Sequence, residues 1–156
     1  MEKDKLNNYE LLETINEKET SDKENKMMYS PAQLAYAGDA VYELLVRSHI
    51  LQNHDTNVNK MHRLTVRFVK AHAQAYLISK LEPDLTEEEK RIVKRGRNAK
   101  VTSSPKNAEL MDYRYATGFE ALFGYLYLSN NLDRLMKLFD KVVEKLNEKD
   151  ENNENN

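Results

Sequence analysis

Two carboxylates lie inside strongly apolar stretches of the sequence, where a charged group must be neutralised, hydrogen-bonded or bound to a cation. Asp39 follows Gly38 in the stretch LAYAGDAVYELL. Glu120 follows Gly118 and Phe119 in the stretch ATGFEALFGYLYL. A salt bridge with an arginine would explain either acid alone. Two such acids, each beside a small residue that lets another group approach the backbone, suit shared coordination of Mg²⁺, because hard divalent cations prefer oxygen ligands.

A local excess of basic side chains is the second chemical signal. The whole chain carries 24 Lys+Arg against 26 Asp+Glu, but residues 60–106 hold 12 bases against 5 acids. Within this segment, KRGRNAK joins four bases to a glycine and an asparagine at a predicted helix end, which suits contacts with phosphates. A polyanion-binding surface and an ordinary solvated helix face fit the charge equally well. The candidate RNA-binding side chains are Lys94, Arg95, Arg97, Asn98, Lys100 and Lys106.

Other candidates for chemistry carry weaker signals. Glu43 follows Asp39 by one helical turn and could assist it, but we favour an ordinary pairing with Arg47, four residues further on. The four histidines show no zinc-ligand spacing, and the absence of cysteine excludes disulfides and thiolate metal sites. The sequence also has no glycine-rich phosphate loop, nucleophile elbow or dinucleotide fingerprint.

The elements that must position these residues are helices. Only 4 Gly and 3 Pro interrupt the chain, and no strand pattern occurs, so we predict an all-α fold. Apolar residues recur at steps of three and four over 31–51, where Ser30 and Pro31 form an N-cap and a first-turn signal. Thr86, followed by three glutamates, caps a helix that ends near Gly96. Further helices are predicted over 57–81, as one bent helix or two, and over 112–129 and 132–146, with a loop at 97–107.

One domain over residues 27–148 accounts for all of these helices. Residues 1–26 are mostly charged or polar and are predicted to be a disordered tail or a marginal helix, and residues 149–156 a disordered tail. No stretch of about 18 apolar residues and no secretory signal occurs. We therefore expect a cytoplasmic protein that does not associate with a membrane.

Both apolar stretches resemble a known family. LAYAGDAVYELLVRSHIL resembles the signature helix of the ribonuclease III family, in which a GDA or GDS step carries a catalytic aspartate. ATGFEALFGYLYL resembles the later helix, whose EAL-G pattern carries a catalytic glutamate. The resemblance covers about residues 30–146 and, together with KRGRNAK and PKNAELMDYRY, points to the short subclass without a double-stranded-RNA-binding domain.

The resemblance implies a ribonuclease III-like helical endonuclease domain with a defined activity. Asp39 and Glu120 would be the catalytic and Mg²⁺-binding residues, and the substrate would be double-stranded RNA. The subclass further implies a homodimer that matures large-subunit (23S) ribosomal RNA, helped by a ribosomal protein bound to the substrate. The alternative is a non-catalytic double-stranded-RNA-binding helical dimer. A purely structural helical dimer is a third hypothesis.

The chain also departs from the family pattern. Other members place further acids at positions where this sequence has Ala32, Ala35 and Thr117. Asp39 and Glu120 are then the only matched carboxylates. We therefore expect water and substrate phosphate to supply the remaining metal ligands, which suits Mg²⁺ because this ion gives up its water reluctantly.

Overall fold

The computed structural model describes residues 29–100 and 108–155, together with Glu10. In these two segments the chain is helical and forms no strand, which confirms the predicted all-α class. None of the described helices is long and apolar enough to cross a membrane. The helices are α1 (Pro31–Asn53), α2 (Val58–Val69), α3 (Ala71–Leu81), α4 (Glu87–Arg97), α5 (Ala108–Leu128) and α6 (Leu132–Glu154), with a 3-10 turn at Glu82–Asp84 before α4.

Two helices begin with the capping that the sequence predicts. The backbone N–H of Gln33 donates to the Ser30 hydroxyl at 3.2 Å, and the Gln33 side chain accepts from the Ser30 N–H at 2.9 Å. Thr86 and Glu89 make the same reciprocal pair at the start of α4. Both pairs satisfy backbone donors that a helix start leaves free, so α1 and α4 begin at defined residues.

The long apolar segment over 57–81 forms two helices rather than one bent helix. Lys70 has extended backbone, with φ −60° and ψ 146°, and separates α2 from α3. The Lys70 N–H still donates to the Val66 carbonyl at 3.1 Å, and the Lys70 carbonyl accepts from the Gln74 N–H at 3.1 Å. The chain therefore changes direction at one residue with few lost backbone hydrogen bonds.

Helix α5 lies at the centre of the fold and packs against α1, α3, α4 and α6. The ring of Tyr42 on α1 lies 4.7 Å from the ring of Phe119 and 5.2 Å from that of Phe123 on α5, and all three are buried. The Tyr42 hydroxyl donates to the Phe68 carbonyl at 3.0 Å, which satisfies its polar end. This aromatic cluster fixes α1 and α5, the two helices that carry Asp39 and Glu120.

Glycines bring the backbones of α1 and α5 into direct contact. A Cβ atom placed on Gly38 would lie 1.6 Å from the Glu120 carbonyl oxygen, and one on Gly124 would lie 1.9 Å from the Leu34 carbonyl oxygen. No larger residue fits either position without separating the helices. Gly38, directly before Asp39, and Gly124, one turn after Glu120, therefore serve the packing of α1 against α5.

The end of the chain differs from the prediction. Residues 149–154 are predicted to be a disordered tail but continue α6 to Glu154. Lys149 lies over the ring of Tyr76 at 4.3 Å, and Asp150 forms an ion pair with Arg67 of α2. These contacts are long-range, so composition alone did not reveal them. The tail predicted over 1–26, Glu10 excepted, and most of the 97–107 loop, with Lys106, lie outside the described residues.

Candidate active site

Asp39 and Glu120 line the same cavity, which has a volume of about 350 Å³. Residues of α1, α3 and α5 and the segment that follows α4 form its wall. Gln74 of α3 adds a buried amide, and Lys100 and Arg114 add two cations. The structure therefore brings together the two acids that the sequence singled out, although they are far apart along the chain.

The electrostatics of this cavity disfavour two negative charges. Burial, and then the charge of Asp39, raise the pKa of Glu120 to about 7, while a hydrogen bond from the Gln74 side chain opposes the rise. Asp39 is exposed to solvent, but partial desolvation and the nearby Glu43 raise the pKa of its carboxyl as well. A cation between the acids would relieve both the repulsion and the cost of desolvation.

The donor set fits a hard divalent cation. Both candidate ligands are carboxylate oxygens, and within residues 29–100 and 108–155 no third His, Asp or Glu joins them in a group that could hold a metal ion. Ala32, Ala35 and Thr117 also line the cavity. The positions at which this chain departs from the family pattern thus lie in the same cavity as the acids it retains. Among the described residues, Asp39 and Glu120 are therefore the two carboxylates that would hold the cation.

Glu43 pairs with Arg47, as the spacing of the two residues predicts. It accepts a hydrogen bond from Arg47 at 3.2 Å, one helical turn away, and it does not line the cavity. Its charge acts on the site through Asp39, whose pKa it helps to raise.

Several cavity residues were missed from the sequence. Arg114 and Tyr113 line the cavity, and Tyr113 is 42% exposed. Arg114, Thr117 and Glu120 recur every three residues, so they share one face of α5. That spacing was the available signal for Arg114. Gln74 gave no comparable signal, because a glutamine in an apolar helix is commonly a solvent-facing residue.

The predicted RNA-binding residues do not form one surface around the acids. Lys100 lines the cavity that holds Asp39 and Glu120, whereas Lys94 and Arg97 line a second cavity of about 160 Å³ together with Tyr115. The Arg97 guanidinium lies 5.3 Å from the centre of the Tyr115 ring. Arg95 and Asn98 are exposed, and Lys106 is not described.

The same segment is fixed to α5 by a close backbone contact. A Cβ atom on Gly96 would lie 2.8 Å from the Cα atom of Gly118. The end of α4 therefore lies beside the turn of α5 that precedes Glu120.

Residues 32–131 match the Ribonuclease III domain family. The chain therefore belongs to the ribonuclease III family, and it is an endoribonuclease of that family, which acts on double-stranded RNA. The helical fold and the placement of Asp39 and Glu120 in one cavity agree with this membership.

Individual relatives narrow the group within the family. The chain is 47% identical to Mini-ribonuclease 3 of Clostridium tetani over 131 residues, covering 83% of this chain and 87% of that protein. It is also 47% identical to Mini-ribonuclease 3 of a Thermoanaerobacter species over 126 residues, covering 81% and 89%. The crystal structure of protein FN1578 from Fusobacterium nucleatum is similar, with a TM-score of 0.69 and 33% identity, covering 74% of this chain and 94% of that one. These relatives place the chain in the Mini-ribonuclease 3 group and confirm the resemblance found in the sequence.

Proposed function

We propose that this chain hydrolyses phosphodiester bonds of double-stranded RNA in a Mg²⁺-dependent reaction, with Asp39 and Glu120 as its catalytic and metal-binding residues. The observation that carries the proposal is the convergence of these two carboxylates in one cavity, where each is a costly charge without a cation. The backbone contacts at Gly38 and Gly124 support it, because they hold α1 and α5 at a fixed separation.

The chain supplies the geometry and the charge for this reaction. Asp39, which is exposed, meets solvent and RNA, while Glu120 lies deeper in the wall of the cavity. Lys100 and Arg114 lie in the same wall and attract the phosphate. When bound, a divalent cation supplies positive charge that favours ionisation of an attacking water and stabilises the charge on the phosphate and the leaving oxygen.

Duplex binding is proposed to depend mainly on phosphates and shape. A-form RNA has a deep, narrow major groove that side chains cannot read, so phosphates and 2′-hydroxyls dominate recognition. The basic side chains at the end of α4 supply the sequence-independent affinity. At the end of α4 these are Lys94, Arg95 and Arg97, and the uncharged Asn98 with the later bases Lys100 and Lys106 completes the predicted set.

The biological setting belongs to the same proposal. A homodimer would present two sites, each cutting one strand. The likeness to the Mini-ribonuclease 3 group supports a large-subunit (23S) ribosomal RNA precursor as the substrate in the cytoplasm, with a ribosomal protein bound to that RNA as a partner.

Substitution of the two acids tests the assignment of the site. Asp39→Asn and Glu120→Gln should each lower Mg²⁺-dependent cleavage of a long RNA duplex by about 100-fold or more, because each removes a candidate ligand. Duplex binding in EDTA should be unchanged or tighter, since a negative charge is lost. Glu144→Gln, at an exposed carboxyl on α6 outside the cavity, is the control and should cut at the wild-type rate.

Near wild-type cleavage by Asp39→Asn would remove the assignment. The alternative of a non-catalytic double-stranded-RNA-binding dimer predicts a different result: the wild-type chain binds the duplex but leaves it intact at every Mg²⁺ concentration.

A further inference from the structure

Gln74 is a buried polar side chain to which the proposed reaction assigns no role. It lies on α3 with an exposed fraction of only 1%, and it lines the cavity that holds Asp39 and Glu120. A buried amide in an otherwise apolar core must satisfy two donors and one acceptor to avoid a loss of stability.

One hydrogen bond fixes the orientation of this amide. The Gln74 Nε2 atom donates to the Val69 carbonyl at 3.1 Å, where the break between α2 and α3 leaves that carbonyl available. Glu120 lines the same cavity, and the Gln74 amide favours its ionised carboxylate, against the effects of burial and of the charge of Asp39 on the pKa of Glu120. Gln74 therefore links the break between α2 and α3 to the acid on α5.

The carbonyl oxygen of the same amide has no partner. Gln74 Oε1 is fully buried and accepts no hydrogen bond from any described residue. An unpaired buried acceptor costs free energy, and a residue of the same length without polar atoms would avoid that cost. Because this acceptor belongs to a residue in the cavity wall, an O–H group that enters the cavity can donate a hydrogen bond to it.

We infer that Gln74 is a positioning residue of the cleavage site, whose amide N–H holds the Glu120 carboxylate and whose free carbonyl oxygen accepts a hydrogen bond from an incoming O–H group. This inference rests on the proposed function. The O–H group has two sources, a ribose 2′-hydroxyl of the RNA or a water that hydrates the divalent cation. Both present the same donor to Oε1, and binding measurements separate them.

The decisive variant is Gln74→Met, which keeps the length of the side chain and removes both polar atoms. Its control is Thr65→Val, which removes another buried polar group, a hydroxyl that donates to the Met61 carbonyl at 2.9 Å away from this cavity. Each variant is measured by thermal melting, by Mg²⁺ titration calorimetry without RNA, by duplex binding in EDTA, and by single-turnover cleavage.

We expect Gln74→Met to melt within a few degrees of the wild-type chain and to cut about 10-fold or more slowly, as groups that orient metal ligands usually do on removal. Weaker duplex binding in EDTA identifies the 2′-hydroxyl as the donor. Weaker Mg²⁺ binding without RNA, with duplex binding unchanged, excludes the 2′-hydroxyl and places the effect on the metal site, at Glu120 or at the hydration water. Thr65→Val should change melting alone.

The opposite pattern overturns the inference. If Gln74→Met alters only the melting temperature, or leaves all four measurements unchanged, Gln74 is structural. If Gln74→Met does not fold, Gln74→Glu decides, because it keeps the shape but cannot donate to Glu120 when ionised, and wild-type cleavage by Gln74→Glu would overturn the inference. Failure of the proposed function would show differently, as wild-type chains that do not cut, and the two binding measurements would still test Gln74.

Discussion

At the scale of single residues, the ionised carboxylate of Glu120, which the proposed reaction uses, lowers the stability of the fold. Burial and the charge of Asp39 raise its pKa from an ordinary value of 4.5 to about 7. The folded chain therefore holds this proton more tightly than the unfolded chain does, and between these two values folding takes up a proton. It follows that the free energy of unfolding falls as the pH rises from about 4.5 through 7 when no cation is present.

This conflict predicts a stabilised but inactive variant. In EDTA at pH 8, Glu120→Gln should melt at a higher temperature than the wild-type chain, by about 2–4 °C for each kcal/mol of relieved repulsion. The difference should shrink as the pH falls towards 5, where the wild-type carboxyl is protonated. Melting followed by circular dichroism across this pH range measures the effect. Glu144→Gln, at an exposed carboxyl on α6, serves as the control with no such trend, and a Glu120→Gln chain less stable than wild type at pH 8 would contradict the argument.

At the scale of elements, the site depends on how closely α1 and α5 approach. Alanine has a higher intrinsic helix propensity than glycine by about 1 kcal/mol, so Gly38→Ala would stabilise an isolated helix. In the fold, the added Cβ would meet the Glu120 carbonyl oxygen at 1.6 Å, and a backbone atom cannot rotate away. The steric conflict must therefore separate the helices.

We predict that Gly38→Ala lowers the free energy of unfolding by about 1–3 kcal/mol or more. It should also lower cleavage beyond the loss of folded chain, because Asp39 is displaced from Glu120. Urea unfolding and cleavage rates corrected for the folded fraction measure the two effects. Ala40→Ser, an exposed substitution on the same helix, should change neither, and a Gly38→Ala chain as stable as wild type would show that α1 can move without cost.

A second link between elements stabilises the fold away from the cavity. The Arg134 guanidinium on α6 donates to both oxygens of Glu89 on α4, at 2.8 and 3.0 Å, and to the Asp84 carbonyl at 2.7 Å. Burial alone would raise the pKa of Glu89, but the hydrogen bonds from Arg134 and Thr86 outweigh it and lower the pKa. Glu89 therefore contributes stability above its unfolded pKa and loses that contribution as the pH falls through its folded pKa.

At the scale of the whole molecule, one chain offers one cavity with the two acids, whereas a duplex has two strands. The proposed homodimer would supply one site for each strand, because a two-fold axis places two equal sites against opposite strands. A mixed dimer of one wild-type chain and one Asp39→Asn chain should then nick a single strand.

Native and denaturing gels of duplex cut by the purified mixed dimer measure this outcome. The wild-type dimer, prepared with the same pair of affinity tags, is the control and should cut both strands. Sedimentation as a monomer at the assay concentration, or double-strand cleavage by the mixed dimer in one encounter, would refute the paired sites while leaving the family membership intact.

The sequence by itself predicted most of the helices and singled out the two acids of the candidate site. Capping by Ser30 and Thr86 and apolar spacing of three and four residues act within a few positions of one another, so local patterns predict where α1 and α4 begin. The sequence singled out Asp39 and Glu120 because a charged side chain in an apolar helix is costly unless it is neutralised, hydrogen-bonded or bound to a cation. The C-terminal extension of α6 was not predicted, since Lys149 and Asp150 find their partners on other helices.

Only the tertiary structure decided which side chains meet. It placed Gln74 and Arg114 in the cavity with the two acids, and it divided the basic segment between two cavities, with Lys100 in one and Arg97 in the other. The raised pKa of Glu120 likewise arises from burial and from a charge on another helix. Packing at the glycines sets how α1, α4 and α5 cross, and the crossing determines which faces converge. That convergence depends on contacts between distant parts of the chain, which local spacing does not encode.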